Sequence, residues 1–421
     1  MREPGRGEAG FTTIVPMPIP ISGEILSPGM KVYRLSWAEA EEARSRSAAK
    51  YGKQGRNSEK IAQIGARDGF NILDIYNLSS MQTLAKTAIL TALAFVSTTF
   101  AQTPPSGGLR PDTPVDYAPH ASNGKTFNEF WTYQFLLNGG IQVQLNLSRA
   151  NFGSFKDPVC GADLAVMNFL GRNAFVAREY PVKRFSWNGA RLQVHDDIWS
   201  EGVPPRAHRL FFSTEKAGKV YLLDLTFEGM TPGVVWGDGV FQLPDNQKMA
   251  LYFHIPRARV KGRLALDGDT INVRGFGWLD HTWQTQFAPK LIDAGYRYAV
   301  TSSRAEGGYF FQKGDKVFGY GIREEKGKFS LLQPTSLTLA NRTALGSTSV
   351  AKRLEVNLEG RPPVSLLRTE DRQRTSFMQE LSSIERFGAK MFLGGELMGF
   401  RGIALVDDAV PAVYSYTVVK R

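Results

Sequence analysis

From Phe127 to its end the chain is written in short runs of alternating apolar and polar residues, each cut off by Gly, Asn or Asp. A period of two fits strands with one buried face and leaves little room for helices. Residues 131–135, the turn Asn138-Gly139-Gly140 and residues 141–147 form a hairpin signal. Further strands are predicted at 175–180, 191–194, 209–213, 220–227, 250–254, 263–266 and 270–283. Beyond them come 296–302, 308–313, 316–322, 336–339, 353–358, 364–367, 389–394, 398–405 and 413–419. The best helical candidates are 371–385 and 287–294. Evenly spaced short strands predict an all-β fold of sandwiches or barrels. Residues 102–421 are too many for one small barrel, so two antiparallel barrels are expected.

The first hundred residues read differently. Residues 1–80 carry no apolar periodicity that could build a core, and are expected to be disordered or an upstream extension of the gene. Met81 then opens a basic start at Lys86, an apolar run from Ala88 to Val96 and a small-residue exit at Thr99-Phe100-Ala101. That is the anatomy of a secretory signal peptide over 81–101, and it implies a secreted or periplasmic product. The run is too short for a comfortable membrane span, so no stable span is expected in the mature chain. Pro104-Pro105 and Gly107-Gly108 suggest a flexible leader over 102–124.

The formal charge of +11 comes without any long basic block, and acids are interspersed throughout, so nucleic acid is not expected as a partner. The single cysteine, Cys160, excludes an intrachain disulfide. There is no P-loop, no Gly-x-Gly-x-x-Gly opening a helix and no Gly-x-Ser-x-Gly, which disfavours nucleotide and serine-hydrolase chemistry. Metal ligation has no His-x-His, His-Glu-x-x-His or Cys-x-x-Cys to rest on; no metal and no cofactor are expected.

Two segments concentrate chemistry. In Gly275-Phe276-Gly277-Trp278-Leu279-Asp280-His281-Thr282-Trp283-Gln284, strand alternation puts Leu279, His281 and Trp283 on one face and Trp278, Asp280 and Thr282 on the other. In 129–135, Glu129, Trp131, Tyr133 and Phe135 share a face. An enclosed Glu129 would have a raised pKa, as suits a proton donor; at a strand end in water it would be ordinary. His281 with Trp283 is either a catalytic or ligand-orienting pair, or a structural histidine beside a core tryptophan. Gly394-Gly395-Glu396-Leu397-Met398-Gly399-Phe400 reads as a strand-end carboxylate between bulge glycines, and His195-Asp196-Asp197 and His254 are the remaining polar clusters.

Several of these stretches resemble a known family, in order and spacing over nearly all of 125–405. Glu129-Phe130-Trp131-Thr132-Tyr133 resembles the Glu-Trp-Trp-Tyr start of the carotenoid 1,2-hydratase (hydroxyneurosporene synthase) and AttH-like family. Tyr252-Phe253-His254-Ile255-Pro256-Arg257 is similar to its mid-chain Tyr-Tyr-Ser strand. Gly277 to Trp283 is similar to its Trp-x-Asp-His-x-Trp-Gly signature, and Gly395 to Phe400 to its closing Gly-Tyr-x-Glu-x-x-Gly-Tyr. Gln284 stands where the signature has Gly, Phe130 replaces Trp, and the hydratases' Tyr-x-Asp has no match near Tyr309.

The resemblance implies tandem lipocalin-like barrels, at 125–286 and 287–421, with a hydrophobic pocket in the first. It places His281 and Trp283 on the family's catalytic His-x-Trp. Glu129 or Asp280 is the expected acid, and Trp131, Tyr133, Tyr252, His254 and Trp278 are expected to line the pocket. The expected partner is a hydrophobic, lipid- or isoprenoid-like small molecule. The barrel is expected to bind that molecule. The alternative is a hydratase that adds water to one of its double bonds, or a cyclase that excludes the water. The sequence leaves the oligomeric state open.

Overall fold

The computed structural model describes residues 102–421, apart from 153–156, 301–303, 346–347, 377 and 379–389. The upstream extension and the signal-like run lie outside the described residues. The first half contains β1 (Leu109–Pro111), the one-turn helix α1 (Pro114–Tyr117), β2 (Asn128–Leu137), β3 (Ile141–Ala150), β4 (Val159–Phe169), β5 (Arg172–Pro181), β6 (Ser186–Trp187) and β7 (Arg191–His195). It continues with β8 (Ile198–Glu201), β9 (Arg209–Lys216), β10 (Lys219–Glu228), β11 (Val234–Trp236), β12 (Val240–Gln242), β13 (Lys248–Leu266) and β14 (Asp269–Gln284). The second half holds α2 (Ala288–Leu291), β15 (Ala294–Val300), β16 (Glu306–Lys313), β17 (Lys316–Glu325) and β18 (Lys328–Leu332). It ends with β19 (Pro334–Leu345), β20 (Thr348–Leu358), β21 (Arg361–Ser376), β22 (Glu396–Val406) and β23 (Val410–Lys420).

Each half is one curled antiparallel sheet, and together they form two tandem lipocalin-like barrels. The first sheet runs β5-β4-β3-β2-β14-β13-β10-β9-β8-β7-β6, with β11 and β12 added to β13 and β1 to β11. The second runs β18-β17-β16-β15-β23-β22-β21-β20-β19. Neighbouring strands are mostly joined by tight turns, as at Asn138-Gly139-Gly140, where both glycines take positive φ.

The three largest apolar clusters among the described residues follow from the alternation. One fills the first barrel, with Tyr133, Phe135, Leu145, Leu164, Leu223 and Leu279 among its members. A second fills the other barrel around Tyr298, Phe310, Leu354, Leu366 and Tyr414. The third joins the barrels: Leu251, Phe253 and Trp278 on the outer face of β13 and β14 meet Phe311, Phe318 and Tyr320 of the second sheet. Its burial of Trp278 contributes on the order of 2–3 kcal/mol. β14 is therefore covered on both faces, and every residue from Gly277 to Thr282 is buried.

Several expectations need correction. Residues 102–124, expected as a flexible leader, are built into the first barrel. Leu109, Arg110 and Pro111 pair with Trp236, Val235 and Val234, and Tyr117 sits in the barrel core, 1 % exposed. Residues 371–376, expected as helix, close the long strand β21, and the rest of that stretch is outside the described residues, Met378 excepted. Two bulges against β22, between Arg368 and Glu370 and between Asp371 and Gln373, break the alternation that would have marked a strand. Residues 390–393, expected as strand, form a helical turn instead. Strand β4 was not anticipated, because Gly161, Ala162 and Ala165 dilute its β signal.

Candidate functional site

Register brings the two chemical segments together. On β2 and β14, His281 lies opposite Trp131, Trp283 opposite Glu129 and Leu279 opposite Tyr133. On the other side β13 sets Tyr252 against His281. A bulge between Phe253 and Ile255 inserts His254 and turns its ring inward, beside His281. His281 thus has neighbours from both flanking strands.

The leader segment completes the group. α1 delivers the Asp116 carbonyl, 3.1 Å from His281 Nδ1, and the Tyr117 carbonyl, which accepts from Trp131 Nε1–H at 3.1 Å. His120 covers Glu129: its backbone N–H and its Nδ1 each stand 2.9 Å from Glu129 Oε1. Asp112 Oδ2 lies 2.7 Å from His254 Nδ1. Asp116 itself is held by Arg110 and Thr113; burial pushes its carboxyl up, but these partners outweigh it and bring it down to about 2.

At the centre, His281 Nε2 is 3.0 Å from Glu129 Oε1, and neither residue has any exposed surface. Trp131 stacks on the His281 ring, centroids 4.5 Å apart and planes 18° from parallel. Tyr252 stacks on His120 and accepts from Trp283 Nε1–H at 3.3 Å. Arg149 Nε stands 3.7 Å from Glu129 Oε2, an oxygen without a hydrogen bond.

Taken singly, burial pushes the His281 imidazolium down to about 4, against the pull of Glu129. Burial would raise the Glu129 carboxyl, but the bonds from His120 and His281 outweigh it and bring it below its ordinary value. A neutral His281 with its proton on Nε2 would donate to an ionised Glu129, but its Nδ1 lone pair would then face the Asp116 carbonyl at 3.1 Å. With the proton on Nδ1 instead, Nε2 and Oε1 would face each other at 3.0 Å with lone pairs only unless Glu129 carries a proton. The contact itself requires one proton, shared by a pair that titrates as a unit.

A second polar group lies deeper. Tyr133 donates to His208 Nε2 at 2.9 Å, and His208 Nδ1–H donates to the Gly202 carbonyl at 2.8 Å. Tyr117 reaches Ser200 at 3.0 Å. Because a carbonyl only accepts, Gly202 fixes His208 as the Nδ1–H tautomer.

The remaining expected residues point elsewhere. Asp280 accepts from Trp278 Nε1–H at 3.1 Å and pairs with Arg297 of β15 at 3.0 Å. Both Asp280 and Trp278 belong to the junction between the barrels and do not reach the His281 site. The bulge on β13 turns His254 inward and leaves Asp280 facing away from the first barrel. Glu396 starts β22 and accepts from Ser376 at the second barrel. His195 stacks on Tyr180 at the barrel edge. The groove of about 720 Å³ lined by Arg209, Lys261, Arg263 and Arg274 is also remote from this chemistry, and Asp224 pairs with both Arg209 and Arg263 there.

His120, Glu129 and His281 offer three ligand-type atoms within 4.8 Å of one another, the geometric minimum for a metal site. Donors on one tetrahedral ion at ~2.0–2.1 Å would stand about 3.3 Å apart. The observed 2.9 and 3.0 Å are hydrogen-bond distances, and the His120 backbone N–H already points at the shared oxygen. The geometry favours proton chemistry.

His120 and Asp112 escaped the sequence reading because they sit in a polar, proline-rich stretch without periodicity. The one usable signal was the scarcity of histidine: His120 is one of five in the chain.

No protein-family model and no curated protein matches the chain. Solved structures do. A structure of an AttH from Nitrosomonas europaea matches with a TM-score of 0.55 at 16% identity, covering 75% of this chain and 99% of that one. Kievitone hydratase from Nectria haematococca matches with a TM-score of 0.45 at 11% identity, covering 76% and 96%. CghA matches with a TM-score of 0.41 at 11% identity, covering 74% and 98%. The AttH likeness establishes a shared tandem-barrel fold of the AttH-like, lipocalin-like kind.

Proposed function

We propose that the first barrel is an acid–base active site that adds water to a carbon–carbon double bond of an apolar, isoprenoid-like molecule, in the manner of the carotenoid 1,2-hydratases. The observation that carries this reading is the enclosed Glu129–His281 pair at 3.0 Å, stacked under Trp131. A carboxyl group and an imidazole sharing one proton inside an apolar wall form a general acid and base that solvent does not level.

The reaction balances with these groups alone. The Glu129 carboxyl gives its proton to one alkene carbon and becomes a carboxylate. The cation left on the other carbon is stabilised by the aromatic faces of Trp131 and Trp283. A water molecule oriented by His281 bonds to that carbon, and its surplus proton returns to Glu129. Glu129, Trp131 and His281 have no exposed surface, so substrate entry requires the segment from Asp112 to His120 to move aside.

The carrier reading gives His281 only a hydrogen bond to the polar end of a bound lipid. Holding a polar end requires neither a second enclosed histidine nor two carboxylates. The signal-like run before Gln102 supports export of the mature chain, and N-terminal sequencing of the native protein tests it: an intact residue 2 would end that proposal. For the reaction, the full chain is purified, its lipids are extracted and identified by mass spectrometry, and the same molecules are incubated with it. A gain of one water that disappears in Glu129→Gln and His281→Ala is expected. A ligand recovered unchanged would support the carrier.

A further inference from the structure

Five titratable groups run in series through the first barrel: Asp112, His254, His281, Glu129 and His120. Successive contacts measure 2.7, 3.2, 3.0 and 2.9 Å. Each of these contacts needs a proton, because two lone pairs at such distances repel. Two carboxylates and three neutral imidazoles bring only three protons to four contacts. Among the described residues nothing around them makes up the difference. The Asp116 carbonyl can only accept from His281 Nδ1–H, and the Tyr252 hydroxyl meets the far nitrogen of His120.

We propose that this series holds one additional proton and that Glu129 and Asp112 are the two ends between which it is exchanged, through His281 and His254. In one end state Glu129 is the acid. Its O–H donates to His281 Nε2, His281 Nδ1–H points to His254 Nε2 and the Asp116 carbonyl, and His254 Nδ1–H donates to Asp112. Three hops in one direction give the other state. A proton moves from Glu129 Oε1 to His281 Nε2, another from His281 Nδ1 to His254 Nε2, and a third from His254 Nδ1 to Asp112 Oδ2. Only N–H and O–H bonds change, and the total charge is constant. Glu129 is then a carboxylate and Asp112 the acid.

The surroundings rank the two states. With His281 protonated at Nε2, its Nδ1 lone pair would face the Asp116 carbonyl at 3.1 Å, so the carbonyl holds the proton at the Glu129 end. Asp112 is the outlet: its side chain is 9 % exposed, against none for Glu129, and Pro111 and Thr113 on either side are exposed. Other charged or titratable groups near the series are Arg110, bound to Asp116, Arg149 beside Glu129, Asp280 on the far face of β14, and the phenols of Tyr117, Tyr252 and Tyr320. His208 lies behind Tyr117 with its tautomer fixed by Gly202. His254 and Asp112 are positioning residues in this scheme. The inference rests on the acid–base reading of the same site, but its test needs no substrate.

The test is NMR of the full chain labelled with ¹⁵N in histidine and ¹³C in the carboxyl groups, at neutral pH. A proton in the Glu129–His281 contact and Nδ1–H tautomers at His254 and His281 are expected. In Asp112→Asn the amide still accepts from His254 but cannot take up a proton. Exchange of the His281 ring proton with D₂O should slow at least roughly tenfold, as expected for losing one charge-assisted link. His254→Gln is read the same way. Unchanged His208 signals report an intact barrel in either variant. Glu129 and Asp112 both ionised, with His254, His281 and His120 each carrying a single ring proton, would overturn the additional proton, and unaltered exchange in both variants would overturn the route through Asp112. Failure to hydrate any alkene, with the NMR pattern intact, would sink the hydratase reading alone.

Discussion

Asp280 and His281 are neighbours in sequence and serve different barrels. His281 turns into the first barrel toward Glu129, while Asp280 turns out to meet Arg297 of the second at 3.0 Å. Asp280 is fully enclosed, and burial raises its carboxyl above the ordinary value despite the pull of Arg297. Replacing Arg297 with Met would leave that charge buried and unpaired. We expect a loss of about 3–5 kcal/mol in urea unfolding, of which Asp280→Asn added to the same chain restores a large part. An Arg297→Met protein as stable as the parent would show that the pair does not join the barrels.

The His208 imidazolium is pushed down to about 4, first by burial, with Gly202 opposing. A group whose folded pKa is depressed loses no stability above its unfolded value, near 6.5 for histidine. Below that the unfolded chain takes up a proton that the folded chain refuses. The His208 contribution is therefore intact at pH 7 and lost progressively from about 6.5 down to 4, by on the order of 3 kcal/mol. In His208→Gln the acid-side fall in unfolding free energy should be smaller than in the parent by about that amount. Equal slopes in the two proteins would contradict the enclosed neutral histidine.

Gly275 lies where β14 passes close to β2. A Cβ there would stand 2.1 Å from the Leu136 carbonyl oxygen, a backbone atom that cannot swing away. Gly275→Ala should cost about 1–3 kcal/mol, measured by the same unfolding experiment, although alanine is the smallest addition available. Alanine at Gly268, where nothing lies within 4 Å of the added atom but φ is +91°, should show the backbone cost alone.

Cys160 is buried among the side chains of the first barrel, and burial pushes its thiol up to about 11. In the native protein a thiol reagent should label it only at the rate at which the barrel opens, and denaturant should make labelling prompt. Rapid labelling of the folded chain would mean that β4 is not held as described.

Much of this architecture was readable from alternation alone. The hairpin around Asn138 and the strands flanking Asp267-Gly268 lie where period-two patterning put them, and so does the opposition of His281 and Asp280 across β14. Alternation fails wherever a bulge intervenes. Residues 371–376 looked helical because two extra residues shift the hydrophobic phase, and the inward turn of His254 is itself a bulge. Strand register, which sets His281 beside Trp131 and brings Glu129 within reach, is a tertiary property that no local pattern encodes. Asp112 and His120 were invisible for another reason: their partners are more than a hundred residues away, or reached through a turn with no period at all.

β14 has a solvent-free environment on both sides along the stretch that carries His281. A strand on an ordinary surface has one face free to drift, so roughly half its positions accept many amino acids. From Gly277 to Thr282 no position has that freedom: odd-numbered ones answer to the first barrel and even-numbered ones to the second. A randomised library across these six residues should therefore return a narrow set of survivors, with changes in one barrel permitted only when the other tolerates them.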